Sequence, residues 1–177
     1  MLTIAGNAAE NPSPAKPGVE PSALPSAETQ DEDFLRTAPG LLFPEIDASK
    51  LGAEKAEDPQ LKAMSQRMVE SYTKLARELE AAGRSAGLQV SNKQDPHAVH
   101  RLQRLQDTGP QFDLTFLAEQ EGWHKKLVAI YSMEERAGRN EALKKHAEQG
   151  RALLIKNLEE IQSLQARLTD QRTTPGR

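Results

Sequence analysis

The stretch EQEGWHKK, residues 119–126, sets Glu121 and His124 three apart inside a long helical pattern. That spacing stacks a carboxylate and an imidazole one turn apart on a helix face, the unit from which carboxylate-bridged di-metal bundles are built. A di-metal centre needs two such motifs and a glutamate from each of two further helices. This chain offers one motif on an apolar stripe, with Glu45 or Asp47 as carboxylates from an earlier helix. Tyr72 and Asn157 interrupt two other apolar stripes near their middles, so antiparallel packing would bring all of these into one layer. Two readings follow. Glu121, His124 and Glu45, with help from Asn157, suffice for a single weakly held iron, manganese or zinc ion. The preferred alternative is a polar core layer of Tyr72, Asn157, His124, Glu121 and Asp47 or Glu45 that hydrogen-bonds internally and fixes helix register, since a buried carboxylate needs a partner.

Other candidates carry less chemistry. His97 and His100 fall three apart on a short connecting helix and read as solvated; His146, among Lys144, Lys145 and Glu148, reads the same way. Trp123 reads as packing. Serine nucleophile elbows, phosphate-binding glycine loops and the HExxH motif are absent from the sequence. No catalytic residue is assigned, and the expectation is a protein that is not an enzyme.

Composition narrows the field further. A chain of 177 residues supports one domain. Its apolar share of 37% and mean hydropathy of −0.68 leave part of it unpacked. The net charge of −3, with both signs interspersed, gives no footprint for nucleic acid. Without cysteine there are no disulfides, thiolate metal sites or thiol nucleophiles. No apolar run reaches the length of a transmembrane segment, and no signal peptide is visible at the start. The expected location is the periplasm or cell envelope if a leader has been removed, and the cytoplasm otherwise.

The elements that must position these residues are helical throughout. Residues 1–30 hold five prolines after Asn11 and few large apolar groups, which predicts a disordered tether. From Asp31 apolar residues recur at helical spacing, but Pro39, Gly40 and Pro44 predict a short helical piece, a break, and a helix from Pro44 to Ala56. Asp58-Pro59 and Asp95-Pro96 are N-cap pairs with proline at the first helical position. They open a long helix ending near Gly83 and a short connecting one. A third long helix over Pro110–Ala137 and a fourth over Asn140–Leu168 follow, with residues 169–177 as a disordered tail. The wide stripes favour an antiparallel four-helix bundle over residues 31–168 rather than a two-stranded coiled coil.

From about Asp33 to Leu168 the chain resembles a bacterial ferritin-like domain family of unknown function, whose members are labelled exported or outer-membrane proteins. The resemblance rests on DFL at 33–35, KLGAEKAEDPQLKAMSQRMVESYTK at 50–74, FDLTFLAEQEGWHKKLV at 112–128 and LLIKNLEEIQSL at 153–164. It implies a ferritin-like bundle and an envelope location. Residue by residue, it sets His124 on the family's third-helix histidine, and Tyr72 and Asn157 where two further histidines would stand. The functional expectation is therefore a non-enzymatic bundle of the envelope or of a stress response. The alternatives are a metal-binding relative with a reduced site, and a helical adaptor for a protein partner or a homo-oligomer.

Overall fold

The computed structural model describes residues 29–173, so the expected tether over residues 1–28 and the last four residues of the tail lie outside the described residues. It has five helices: α1 (Gln30–Lys55), α2 (Pro59–Ser85), α3 (Pro96–Asp107), α4 (Phe112–Ala137) and α5 (Glu141–Thr173). There is no strand among the described residues. The four long helices pack side by side, α1 against α2 and α4, and α5 against the same two. Helix α3 lies across α1 and α4.

Two acidic side chains fix the direction of each helix. Asp113, at the start of α4, accepts from the Glu57 and Asp58 amides at 3.1 and 2.8 Å, holding the α1–α2 turn. Asp31, at the start of α1, accepts from the Arg139 and Asn140 amides at 2.8 and 3.1 Å, holding the α4–α5 turn at the other end. Each adjacent long pair is therefore antiparallel. Both predicted caps form: Asp58 Oδ1 accepts from Gln60 and Leu61, and Asp95 Oδ1 from His97. Asn140 caps α5, which runs five residues past the expected end at Leu168.

The expected break in the first helix does not occur, because α1 is continuous through Pro39 and Pro44. Proline lacks the N–H that would bond four residues back, which frees the carbonyls of Leu35 and Gly40. Both carbonyls are taken by the segment between α2 and α3: Ser91 N–H donates to Leu35 at 3.0 Å and Asp95 N–H to Gly40 at 3.2 Å. Gly40 permits the approach, since a Cβ there would sit 3.0 Å from the Lys93 carbonyl oxygen.

The core is built from the apolar stripes of α2 and α5 that Tyr72 and Asn157 interrupt. Leu61, Met68, Tyr72, Leu75 and Leu79 are buried on α2, as are Leu143, Ala147, Leu154, Ile161 and Leu164 on α5. On α4 the seam passes one residue earlier than predicted, through Phe116, Gln120, Trp123, Leu127 and Tyr131 as well as Leu117 and His124. Helix α3 packs on the Trp123 side of α4, where Arg101 lies over the indole ring. At Gly150, helices α4 and α5 come close enough that a Cβ would lie 2.3 Å from the Tyr131 ring. Gly150→Ala is expected to cost about 1–2 kcal/mol on balance, because overpacking against a fully buried ring outweighs the gain in helix propensity. Urea unfolding of the variant against the parent measures it.

Candidate functional site

The mid-bundle polar layer forms, with a membership different from the predicted one. Tyr72 on α2, His124 on α4 and Asn157 on α5 join in a hydrogen-bonded chain across three helices. His124 Nδ1 faces the Gln120 carbonyl, one turn earlier, at 2.8 Å and must carry the proton. Its Nε2 is then an acceptor, and the Tyr72 hydroxyl donates to it at 2.5 Å. The Tyr72 oxygen in turn accepts from the Asn157 amide at 2.7 Å. Burial lowers the His124 pKa, against the opposing pull of Glu45, and raises that of the Tyr72 phenol well above its ordinary value. The layer is therefore neutral at physiological pH, with both nitrogens of the histidine engaged.

Glu45 is fully buried on α1 beside this layer, and its charge is felt by both Tyr72 and His124. Its partner is Arg101 of α3, whose Nη1 lies 3.0 Å from Glu45 Oε2. Arg101 is itself 2% exposed and stacks on Trp123 at 4.9 Å. Trp123 is buried as expected, and its indole N–H donates to the Leu41 carbonyl at 3.1 Å.

The structure does not bring Glu121 and Asp47 into the layer. Glu121 sits at the bundle surface, where Lys125 at 2.7 Å and Gln162 at 3.0 Å hold its carboxyl below the usual range. The one-residue rotation of the α4 seam accounts for this, placing Gln120 inside and Glu121 on the shoulder. Asp47 pairs with Lys50 at 2.9 Å on the outer face of α1, two residues and so about half a turn from Glu45. His97 and His100 are exposed, as read from sequence.

His146, expected in solvent, is buried instead, against Phe34 and Tyr131 with ring centroids 6.3 and 5.7 Å away. Burial holds its pKa down to about 4. Nearby, at the end of the bundle, Glu134 is fully buried and accepts from Gln30 at 3.3 Å. Burial and a hydrogen bond shared with Asp31 push its pKa up to about 7. Burial also pushes Asp31 upward, but hydrogen bonds from the Arg139 and Asn140 amides and from Glu134 leave it below its ordinary value. Arg101, Glu134 and His146 were all legible as stripe members: Ala98, Arg101 and Leu105 share one spacing, Leu127, Tyr131 and Glu134 another, and Leu143, His146 and Gly150 a third.

A carboxyl whose folded pKa is raised stabilises the fold fully below its unfolded value and loses that contribution as pH rises through the folded one. Glu134 therefore makes the protein less stable as pH climbs from about 4.5 through about 7. His146, with a lowered pKa, acts in the opposite sense, costing stability as pH falls from 6.5 toward 4. Glu134→Gln is expected to remove the decline on the alkaline side while keeping the acid-side loss, as melting temperatures between pH 5 and 8.5 would record.

Among the described residues no three of His, Cys, Asp and Glu form a group able to hold a metal ion. No helix there is long and apolar enough to cross a membrane. With this geometry in hand, comparison with known proteins places the chain. A family model described as a domain of unknown function, DUF4142, matches residues 16–164. The chain belongs to the DUF4142 family. Among solved structures it is similar to the crystal structure of a DUF305 fragment from Deinococcus radiodurans, with a TM-score of 0.68 and 17% identity. That match covers 83% of this chain and 99% of the fragment. At such identity the likeness concerns the fold alone. No curated protein matches the sequence.

Proposed function

We propose that this DUF4142 domain is a non-enzymatic, ferritin-like four-helix module of the bacterial cell envelope, acting through its surface, with the central layer as a structural element. The observation that carries the reading is the state of His124. One nitrogen is committed to the Gln120 carbonyl and the other to Tyr72, so the imidazole serves register rather than chemistry. The ferritin-like part is supported by the single long crossover, containing α3, between the second and third long helices. The envelope assignment rests on the family resemblance alone.

The donor set does not fit a di-metal centre. Glu121 stands outside the layer, Tyr72 and Asn157 are poor ligands, and the one buried carboxylate beside His124 is neutralised by Arg101. A second reading, a single iron, manganese or zinc ion near Glu45 and His124, is favoured by one feature. Glu45 Oε1, Ser49 Oγ and both Gln120 side-chain polar atoms are buried without a protein hydrogen-bond partner. Elemental analysis of the purified protein, with His124→Ala as control, separates the two readings. The first expects no stoichiometric metal and a lower melting temperature in the variant. Stoichiometric metal that disappears with His124→Ala would replace it by the second.

A further inference from the structure

Away from the polar layer, a groove of about 810 Å³ runs between α3 and α4, lined by His97, Arg101, Arg104, Glu119, Trp123 and Lys126 among others. In a chain of net charge −3, this groove gathers Arg101, Arg104 and Lys126 around the rim carboxylate of Glu119, with Glu45 buried behind Arg101. Arg101 is the informative member. Its Nη1 is tied to Glu45, while Nε and Nη2 are buried without a hydrogen-bond partner. Those two nitrogens form the edge of a guanidinium that takes two oxygens of a carboxylate or phosphate side by side. An unfilled fork of this kind is costly in a buried position, which is a reason to expect a ligand for it.

Glu119 marks where that ligand would lie. Its Oε2 is 3.6 Å from Arg101 Nε, too long for a hydrogen bond, and its Oε1 is 3.2 Å from Arg104 Nη2. A half-exposed carboxylate thus rests between the two guanidiniums without closing the fork. The Trp123 ring forms the adjoining wall, with Arg101 and the Lys126 ammonium each 4.9 Å from its centroid. A Cβ at Gly122 would meet nothing within 4 Å, so the wall beside the ring is open.

We propose that the α3–α4 groove is a binding site for a small oxyanion, carboxylate or phosphate. The anion is gripped by the Nε and Nη2 edge of Arg101, is flanked by Arg104 and Lys126, and displaces Glu119. Trp123 is the only tryptophan of the chain and so reports directly on this groove. The test titrates the full-length protein near neutral pH with inorganic phosphate and, separately, with acetate. Chloride holds ionic strength constant, and tryptophan emission is followed. A saturable change with phosphate alone, or with acetate alone, identifies the ligand class. Arg104→Gln is expected to weaken the binding, and Glu119→Gln to tighten it, each by about threefold or more, as for loss of one partly exposed ion-pair partner. Arg101→Lys keeps the charge without the fork and is expected to abolish saturation, provided its circular dichroism matches the parent; the other two variants carry the test if it does not fold. Absence of saturation with both anions overturns the proposal. So does a dissociation constant unchanged in both Arg104→Gln and Glu119→Gln.

Discussion

Arg101→Met lowers the unfolding free energy by about 3–5 kcal/mol, because removing one partner of a buried ion pair leaves the other as an uncompensated charge. The charge in question is Glu45, fully buried on α1, with Arg101 as its only ion-pair partner within 4 Å among the described residues. For a domain of this size that corresponds to a fall of roughly 10 °C in melting temperature. Methionine keeps much of the aliphatic bulk over Trp123, so the loss is chiefly electrostatic. The double variant Glu45→Met with Arg101→Met is the decisive companion. Replacing both members by apolar groups of similar volume is close to neutral in other buried pairs, so the double variant is expected to recover most of the stability. If it stays as unstable as the single variant, the packing of α3 rather than the ion pair holds the crossover in place.

Tyr72→Phe is expected to cost about 2–3 kcal/mol while removing a single oxygen atom, since it leaves the buried His124 acceptor and Asn157 donor without their shared partner. The ring stays, so its contact with the His124 imidazole and the packing of α2 on its neighbours are preserved, and no cavity larger than a hydroxyl opens. A double-mutant cycle with Asn157→Ala tests the chain as a unit. The cost of Asn157→Ala should shrink markedly in the Tyr72→Phe background, because the amide hydrogen bond is then already lost. Fully additive costs would mean that the two residues act independently, and the relay from α5 through α2 to α4 would lose its energetic meaning.

The parts of this architecture that could be read from the sequence are those whose causes are local. Asp58-Pro59 and Asp95-Pro96 announce helix starts because cap and proline act within three residues of one another. Tyr72, His124 and Asn157 stand out because each breaks an otherwise apolar rhythm, and the structure joins them. Where the cause is distant, the sequence misleads. Pro39 and Pro44 promise a break, yet the amides that take the carbonyls they free belong to Ser91 and Asp95, some 50 residues along the chain. Glu121 shares the apolar spacing of α4 but sits on the shoulder of the buried face, and only the packing of the neighbouring helices decides that Gln120 enters instead. Arg101 and Glu45 show the same limit, because each charge makes sense inside the core only when the other is opposite.

The two proline-freed carbonyls of α1 also turn the crossover into a ruler. They are five residues apart on α1, and the amides that meet them are four residues apart on the returning segment. A connection between helices ordinarily absorbs extra residues at little cost. Here one residue inserted between Ser91 and Asp95 would leave an acceptor on α1 unmatched, or move Asp95 and the α3 that it caps along α1. Segment length, more than segment composition, thus sets where Arg101 arrives over Glu45.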